Sequence, residues 1–279
     1  MLVTRYAIRL ATAIALLVAM PSIAAWLTPI ASLAVFFAAF SLTHDVAHGA
    51  LGLPRRANDI VLALGGLAIG TSGHALRLMH MRHHARPLAP DDYEGAAARM
   101  TARRAALASP RLSRALHAAA WRAASPRERR IQLAEYCGLA ALVLGLAFGP
   151  LWLATHAAIA FAMQAMAPLW AGYVPHRTPR LVAAIARALS AARLQVPTSL
   201  AFHDVHHRHP KIPTDHLRAA ALRDALHVHN FTTAMSRSCE SVVRPFSVVA
   251  RATPATPARE AGSRARTGRV VDRGFLAAS

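Results

Sequence analysis

Four stretches of this chain are too apolar to serve as ordinary surface helices: residues 6–20, 23–43, 131–149 and 151–170. A helix that is apolar all round needs lipid or a large core on every side, and about 20 such residues span a bilayer. Charged residues make up only 16% of the chain, against the usual quarter for a soluble domain. Pro21-Ser22 and Gly149-Pro150 divide the stretches into pairs, because a proline or a Gly-Pro step favours a turn. The expected fold class is therefore all-α integral membrane, with four transmembrane helices as two hairpins beneath a helical cap. The first stretch has a competing reading. Arg5 and Arg9, an apolar run and then Ser22-Ile23-Ala24 also fit a signal peptide, although cleavage would leave the second stretch without its partner.

The net charge is +19, and every basic residue but Lys211 is an arginine. Such a charge can serve nucleic acid, but no nucleic-acid motif accompanies it, so no nucleic-acid partner is expected. The arginines lie between and after the apolar runs, where anionic lipid headgroups would meet them. Residues 99–130 carry nine of them, interleaved with Leu112, Leu116 and Trp121. That pattern reads as a basic amphipathic segment on a membrane surface or as a solvated linker. The positive-inside rule puts this loop and the C-terminal half in the cytoplasm, and four spans put both termini there. Cys137 and Cys239 lack metal-type spacing and form no disulfide framework. From residue 249 the chain is rich in Ala, Thr, Pro, Arg and Gly, which predicts a disordered basic tail over 249–279 after a membrane domain over 1–248.

The histidines carry the chemistry. They fall into His44-Asp45-Val46-Ala47-His48, His80-Met81-Arg82-His83-His84 and His203-Asp204-Val205-His206-His207. On a helix, positions i, i+3 and i+4 share a face, so each cluster aims its imidazoles at one point. With 16 histidines in 279 residues, roughly 0.05 occurrences of H-x-x-H-H are expected by chance, and two are present. Imidazole suits iron, zinc, copper and nickel. For the second cluster to meet the other two on one side, residues 57–79 must return to the side they left. They are expected not to span, with a bend at Gly70 to Gly73. Gly65, Gly66 and Gly70 would also leave room beside the site. A zinc hydrolase needs three or four ligands rather than eight. A metal transporter would set its ligands at mid-membrane.

An H-x-x-x-H box followed by two H-x-x-H-H boxes on paired apolar hairpins resembles the membrane fatty acid desaturase and hydroxylase superfamily. The resemblance covers residues 25–220 and implies a di-iron site for O2 chemistry. It assigns metal ligation to His44, His48, His80, His83, His84, His203, His206 and His207. A ninth ligand of the family corresponds to His176, in Val174-Pro175-His176-Arg177. His209 is not expected to be a ligand, and His74, His117, His156, His216, His227 and His229 are expected to be structural or solvent-facing. Second carboxylate partners for the rings are sought among Asp45, Asp91, Asp92, Asp204 and Asp215. The implied activity is an O2-dependent acyl-lipid desaturase. The alternative is a β-carotene ketolase or hydroxylase, which Val174–Arg177 and His206-His207-Arg208-His209-Pro210-Lys211-Ile212-Pro213 resemble. The long Arg-rich insertion after the second box departs from that narrower pattern. No flavin, nicotinamide or haem motif is present, so a separate ferredoxin-type or cytochrome-type electron donor is implied. A bacterial-type inner membrane is the expected location.

Overall fold

The computed structural model describes residues 2–192 and 194–226. The expected tail over 249–279, the end of the expected domain at 248, His227, His229 and Cys239 lie outside the described residues. Every regular element among the described residues is helical. In chain order they are α1 (Leu2–Ala24), α2 (Thr28–Ala47), α3 (Arg55–Ala68), α4 (Gly73–Ala85), α5 (Ala102–Ala123) and α6 (Pro126–Phe148). There follow α7 (Leu151–Ala165), α8 (Val174–Arg177), α9 (Arg180–Ser190), α10 (Gln195–Ala201), α11 (His203–Arg208) and a helix over 217–226.

The first hairpin is α1 and α2, joined by a 3-10 turn at Ala25–Leu27. Ala13 and Leu17 pack on Ala31 and Val35, and Tyr6 packs on Leu42 and Val46. The turn therefore lies a few residues beyond the expected Pro21. Proline removes a single N–H and disturbs the carbonyl four residues back, here one turn from the helix end, so α1 closes with Pro21 inside it. The helix also begins at Leu2, ahead of the expected residue 6.

The stretch expected not to span is two helices bent by 100°. Gly70 sits at the bend with φ 74°, a left-handed conformation that Cβ-bearing residues avoid. The arms then pass at backbone contact. A Cβ on Gly66 would lie 2.3 Å from Gly73 N, and one on Gly73 would lie 2.0 Å from the Leu62 carbonyl oxygen. Ser72 caps α4 by accepting from Ala75 N–H and also donates to Glu135 of α6 at 2.5 Å. The expectation that these glycines leave open room is corrected here. Thr43 fills the space at Gly65, Gly73 that at Gly66, and Ala160 that at Gly70, so the glycines serve close helix packing.

α5 is no solvated linker. Ala119 and Ala120 pack on Ala75 and Met79 of α4, and Arg103, Arg104, Arg111 and Arg114 face outward. α6 starts five residues ahead of the expected 131, because Ser125 and Glu128 form a capping box and Pro126 occupies the first turn, an arrangement that fixes a helix start. α7 stops at Ala165, short of the expected 170. Pro168 lacks the N–H that would continue the ladder, and the chain enters a π-helical turn at Pro168–Tyr173 before α8.

Two helical segments, Leu2–Ala47 (the α1–α2 hairpin) and Pro126–Phe148, are long and apolar enough to cross a membrane. The count rises to four if each bent pair, α3 with α4 and α7 with Pro168–Arg177, is one span. Gly66→Ala tests the bend. Its methyl must push apart two backbones, and overpacking of this kind costs about 1–3 kcal/mol. The expected result is a lower thermal midpoint in detergent and a loss of bound metal, because α4 carries the three histidines of the second box. An unchanged midpoint would contradict the close approach.

Candidate metal centre

Four helices that are separate in sequence deliver the histidines. His44 lies in the last turn of α2 and His48 is its C-cap. His80, His83 and His84 lie on α4, His203, His206 and His207 on α11, and His176 on α8. The π-helical turn before α8 matters here: it bends the chain by 51° after α7 and so turns His176 toward the others. π-turns commonly mark functional positions.

All nine expected residues come together, eight of them in two groups of four. His44, His48, His80 and His206 offer nitrogens within 4.8 Å of one another, as do His83, His176, His203 and His207. His84 lies between the groups. Its Nε2 is 3.0 Å from His206 Nε2, and its ring is 4.3 Å from that of His207. Each box contributes to the first group, and the second adds the residue from α8.

Carboxylates behind the rings fix which nitrogen faces inward. His80 Nδ1 lies 2.7 Å from Glu94, His83 Nδ1 2.8 Å from Asp92, and His44 Nδ1 3.1 Å from Asp45. Each Nδ1–H donates to its carboxylate, which leaves a lone pair on Nε2. Inward nitrogens also crowd together. His83 Nε2 is 3.3 Å from both His207 Nε2 and His176 Nε2, and His207 Nε2 is 3.1 Å from His203 Nε2. Buried Nε2 atoms of His48 and His80 have no hydrogen-bond partner, and an unpartnered buried nitrogen costs about 1–3 kcal/mol. A shared cation in each group would give these nitrogens a partner, and an all-nitrogen donor set fits a first-row transition metal.

Burial and neighbouring imidazoles push His48, His80, His84, His203, His206 and His207 down and so hold those rings neutral. His84 is pushed down to about 3 and His207 to about 4, in each case first by burial and then by the other histidines. His83 goes the other way: burial opposes it, but the hydrogen bond to Asp92 and the charges of Glu94 and Asp92 prevail. Burial pushes Glu94 up to about 7. Neutral imidazole is the metal-binding form.

Of the carboxylates expected behind the rings, Asp45 and Asp92 are there. Asp45 accepts from Tyr6 O–H and from the Thr214 N–H and Oγ1–H, both at 2.8 Å, as well as from His44. It thereby ties α1, α2 and the segment after α11 together. Asp92 also accepts from the backbone N–H groups of Leu88, Glu94 and Gly95, and this holds Leu88 at φ 62°. Strain of that kind persists where the surroundings impose it. The other three are corrected. Asp91 pairs with Arg86 at the surface, Asp204 with exposed Arg208, and Asp215 with Arg9 at 2.8 Å. Glu94 and Tyr6 escaped the sequence reading. Glu94 could have been found, since it closes the acidic run Asp91-Asp92-Tyr93-Glu94 after the second box. Tyr6 lies 39 residues from Asp45 and carries no local signal.

Three of the other described histidines have structural partners. His74 meets Glu135 at 2.7 Å, His156 bridges Ser32 and the Ala68 carbonyl, and His209 pairs with Asp224. His117 is neither a packing residue alone nor solvent-facing. It lines an apolar cavity beside the cluster, together with His44 and His80.

Two substitutions separate the inner ring from its supports. His48→Ala removes a nitrogen from the first group and is expected to abolish activity and at least halve bound metal, measured by elemental analysis. Asp45→Asn keeps the shape but loses the charge, and is expected to weaken metal binding about 10–100-fold. Wild-type metal content in both variants would contradict the arrangement.

The family model described as fatty acid desaturase matches residues 21–236 of the 279, a span that contains all nine histidines. No curated protein and no solved structure matches the chain. On the extent of that match, the chain belongs to the fatty acid desaturase family.

Proposed function

We propose that the protein is an O2-dependent membrane oxidoreductase with a non-haem di-iron centre, and that its reaction is desaturation of an acyl lipid. The observation that carries this reading is the apolar cavity whose wall includes His44 and His80. Phe40, Leu76, Leu116, Pro168 and Trp170 form much of its surface, which suits a hydrocarbon chain. Iron ligation is proposed for His44, His48, His80, His83, His84, His176, His203, His206 and His207. Two irons bound by them would supply oxygen activation and removal of hydrogen from an unactivated C–H.

The chain's own residues provide position and dryness. Asp45, Asp92 and Glu94 orient the imidazoles, so that the metal geometry is set before substrate arrives. Trp170 packs edge-on against Phe36, Phe37 and Phe40, which makes one wall rigid and keeps water from the reacting carbon. The cavity touches His44 and His80 but none of His83, His176, His203 and His207. The substrate C–H is therefore presented on the side of the first group.

The membrane arrangement is part of the proposal. The α1–α2 hairpin and α6 with α7 span as four helices, while α3 and α4 dip and return. The cap, the histidines and both chain ends then face the cytoplasm of a bacterial-type inner membrane. A separate electron donor of ferredoxin or cytochrome type docks on that face, where the outward arginines of α5 attract an acidic partner. Oxidation of a carotenoid ring to an alcohol or ketone is the second reading, favoured by the Val174–Arg177 and His206–Pro213 stretches.

Iron-loaded protein supplied with a donor, reductant and O2 tests the reaction on acyl lipids and on β-carotene. The expected product is an O2-dependent double bond in the acyl chain. An oxygenated polyene instead would establish the second reading. Full iron with neither product would contradict both. Reporter fusions at Pro54 and Leu88 are expected on the same face, and opposite faces would contradict the dipping segment.

A further inference from the structure

The cavity carries a second set of polar groups that metal binding does not use. Thr71, Ser113, His117 and Gln164 line it along with the apolar residues. They come from the α3–α4 bend, from α5 and from α7. Apolar cavities keep a small number of placed polar groups for orientation, and Thr71, Ser113 and His117 are placed by hydrogen bonds of their own.

His117 Nδ1 lies 3.3 Å from the Tyr136 hydroxyl, and its Nε2 lies 3.2 Å from Thr71 Oγ1. A neutral imidazole has one donor and one acceptor, and burial holds His117 in that neutral form. In the tautomer that carries the proton on Nε2, the phenol O–H donates to Nδ1 and Nε2–H donates to Thr71, which leaves the Thr71 hydroxyl proton free to turn toward the cavity. Gln164 is 9% exposed, and its amide makes no hydrogen bond to a described residue. Ser113 Oγ–H donates to the Gln164 backbone carbonyl at 3.1 Å, which fixes Gln164 while leaving its side-chain amide free. Thr71, in that tautomer, and Gln164 thus offer the cavity donors that no described residue takes.

From this we infer that the cavity recognises a neutral oxygen on its substrate, with Thr71 and Gln164 as the donors and His117 and Ser113 as the groups that position them. The inference rests on the cavity being the substrate site proposed above. The oxygen must be neutral: no Arg or Lys lines the cavity, so a carboxylate or phosphate would be buried there without a counter-charge. An ester carbonyl of an acyl lipid and a hydroxyl or ketone on an isoprenoid ring both meet that description. Spacing is set by α4. Gly73, next to the Thr71 end, and His80 are seven residues apart, roughly 10 Å along the helix axis at 1.5 Å per residue. The recognised oxygen and the oxidised carbon are separated on that scale, which makes the oxygen a ruler for the position of attack.

Equilibrium binding to iron-loaded protein in detergent tests this with two matched pairs. One pair is a fatty acyl methyl ester and the corresponding alkyl ether. The other is a ring-hydroxylated carotenoid and its parent hydrocarbon. The wild type is expected to bind the carbonyl or hydroxyl member of one pair about tenfold more tightly, as an unmade buried hydrogen bond implies. The pair that shows the preference identifies the source of the oxygen. Thr71→Val combined with Gln164→Leu is expected to erase the preference, leave the other member's binding within about twofold, and keep wild-type iron content. Equal binding within both pairs by the wild type, or a preference that survives the double variant, would overturn the inference and leave the proposed reaction standing. Failure of the wild type to bind any of the four lipids would overturn the substrate-cavity reading together with it.

Discussion

Lone pairs on neutral imidazole nitrogens do not hold one another. The centre of this molecule nevertheless collects nine histidine side chains from four separate helices in two adjoining groups, with inward Nε2 atoms as close as 3.0 to 3.3 Å. Without a cation, that arrangement leaves buried nitrogens unpaired, so it has to be imposed from outside. The outer side of the cluster does this. Asp45, Asp92 and Glu94 each take an Nδ1–H, and each of the two aspartates is itself fixed by further donors. Asp45 gathers the N-terminal helix and Thr214 from beyond α11. Asp92 gathers the backbone of the loop after α4. The helices are thus tied together at the point where their imidazoles would otherwise drive them apart.

The rest of the fold serves this convergence. α4 reaches the cluster only because the α3–α4 segment turns through 100° at a glycine with positive φ and lets two backbones touch at Gly66 and Gly73. His176 reaches it because Pro168 forces a π-helical turn after α7. The same turn brings Trp170 against Phe36, Phe37 and Phe40, so one local irregularity supplies both a nitrogen and a cavity wall. The buried pair of His74 and Glu135 then anchors the bend to α6, a helix long and apolar enough to span a membrane.

Much of this was legible in the residues. Box spacing put each histidine set on one helical face, and the need for the boxes to meet foretold a break between residues 57 and 79. The apolar runs foretold the hairpins. What escaped was set by contacts remote in sequence. Tyr6 finds Asp45 only in three dimensions. Asp204 sits inside the third box as Asp45 sits inside the first, and Asp215 follows that box by eight residues, yet arginines claim both, because side-chain direction on a short helix depends on its packing. Pro21 misplaced the first turn, since a proline's effect is small within the last turn of a helix. His117 has no patterned neighbour, and its role depends on a cavity formed by α2, α4, α5 and the π-turn together.

The central claim is that the two groups hold a pair of iron ions through imidazole nitrogen. Elemental analysis combined with iron-edge X-ray absorption on the purified full-length protein tests it most directly. The expected result is close to two irons per chain, with a nitrogen-rich shell showing the outer-ring scattering of imidazole. Zinc in place of iron, one metal per chain, or a shell dominated by carboxylate oxygen would contradict it.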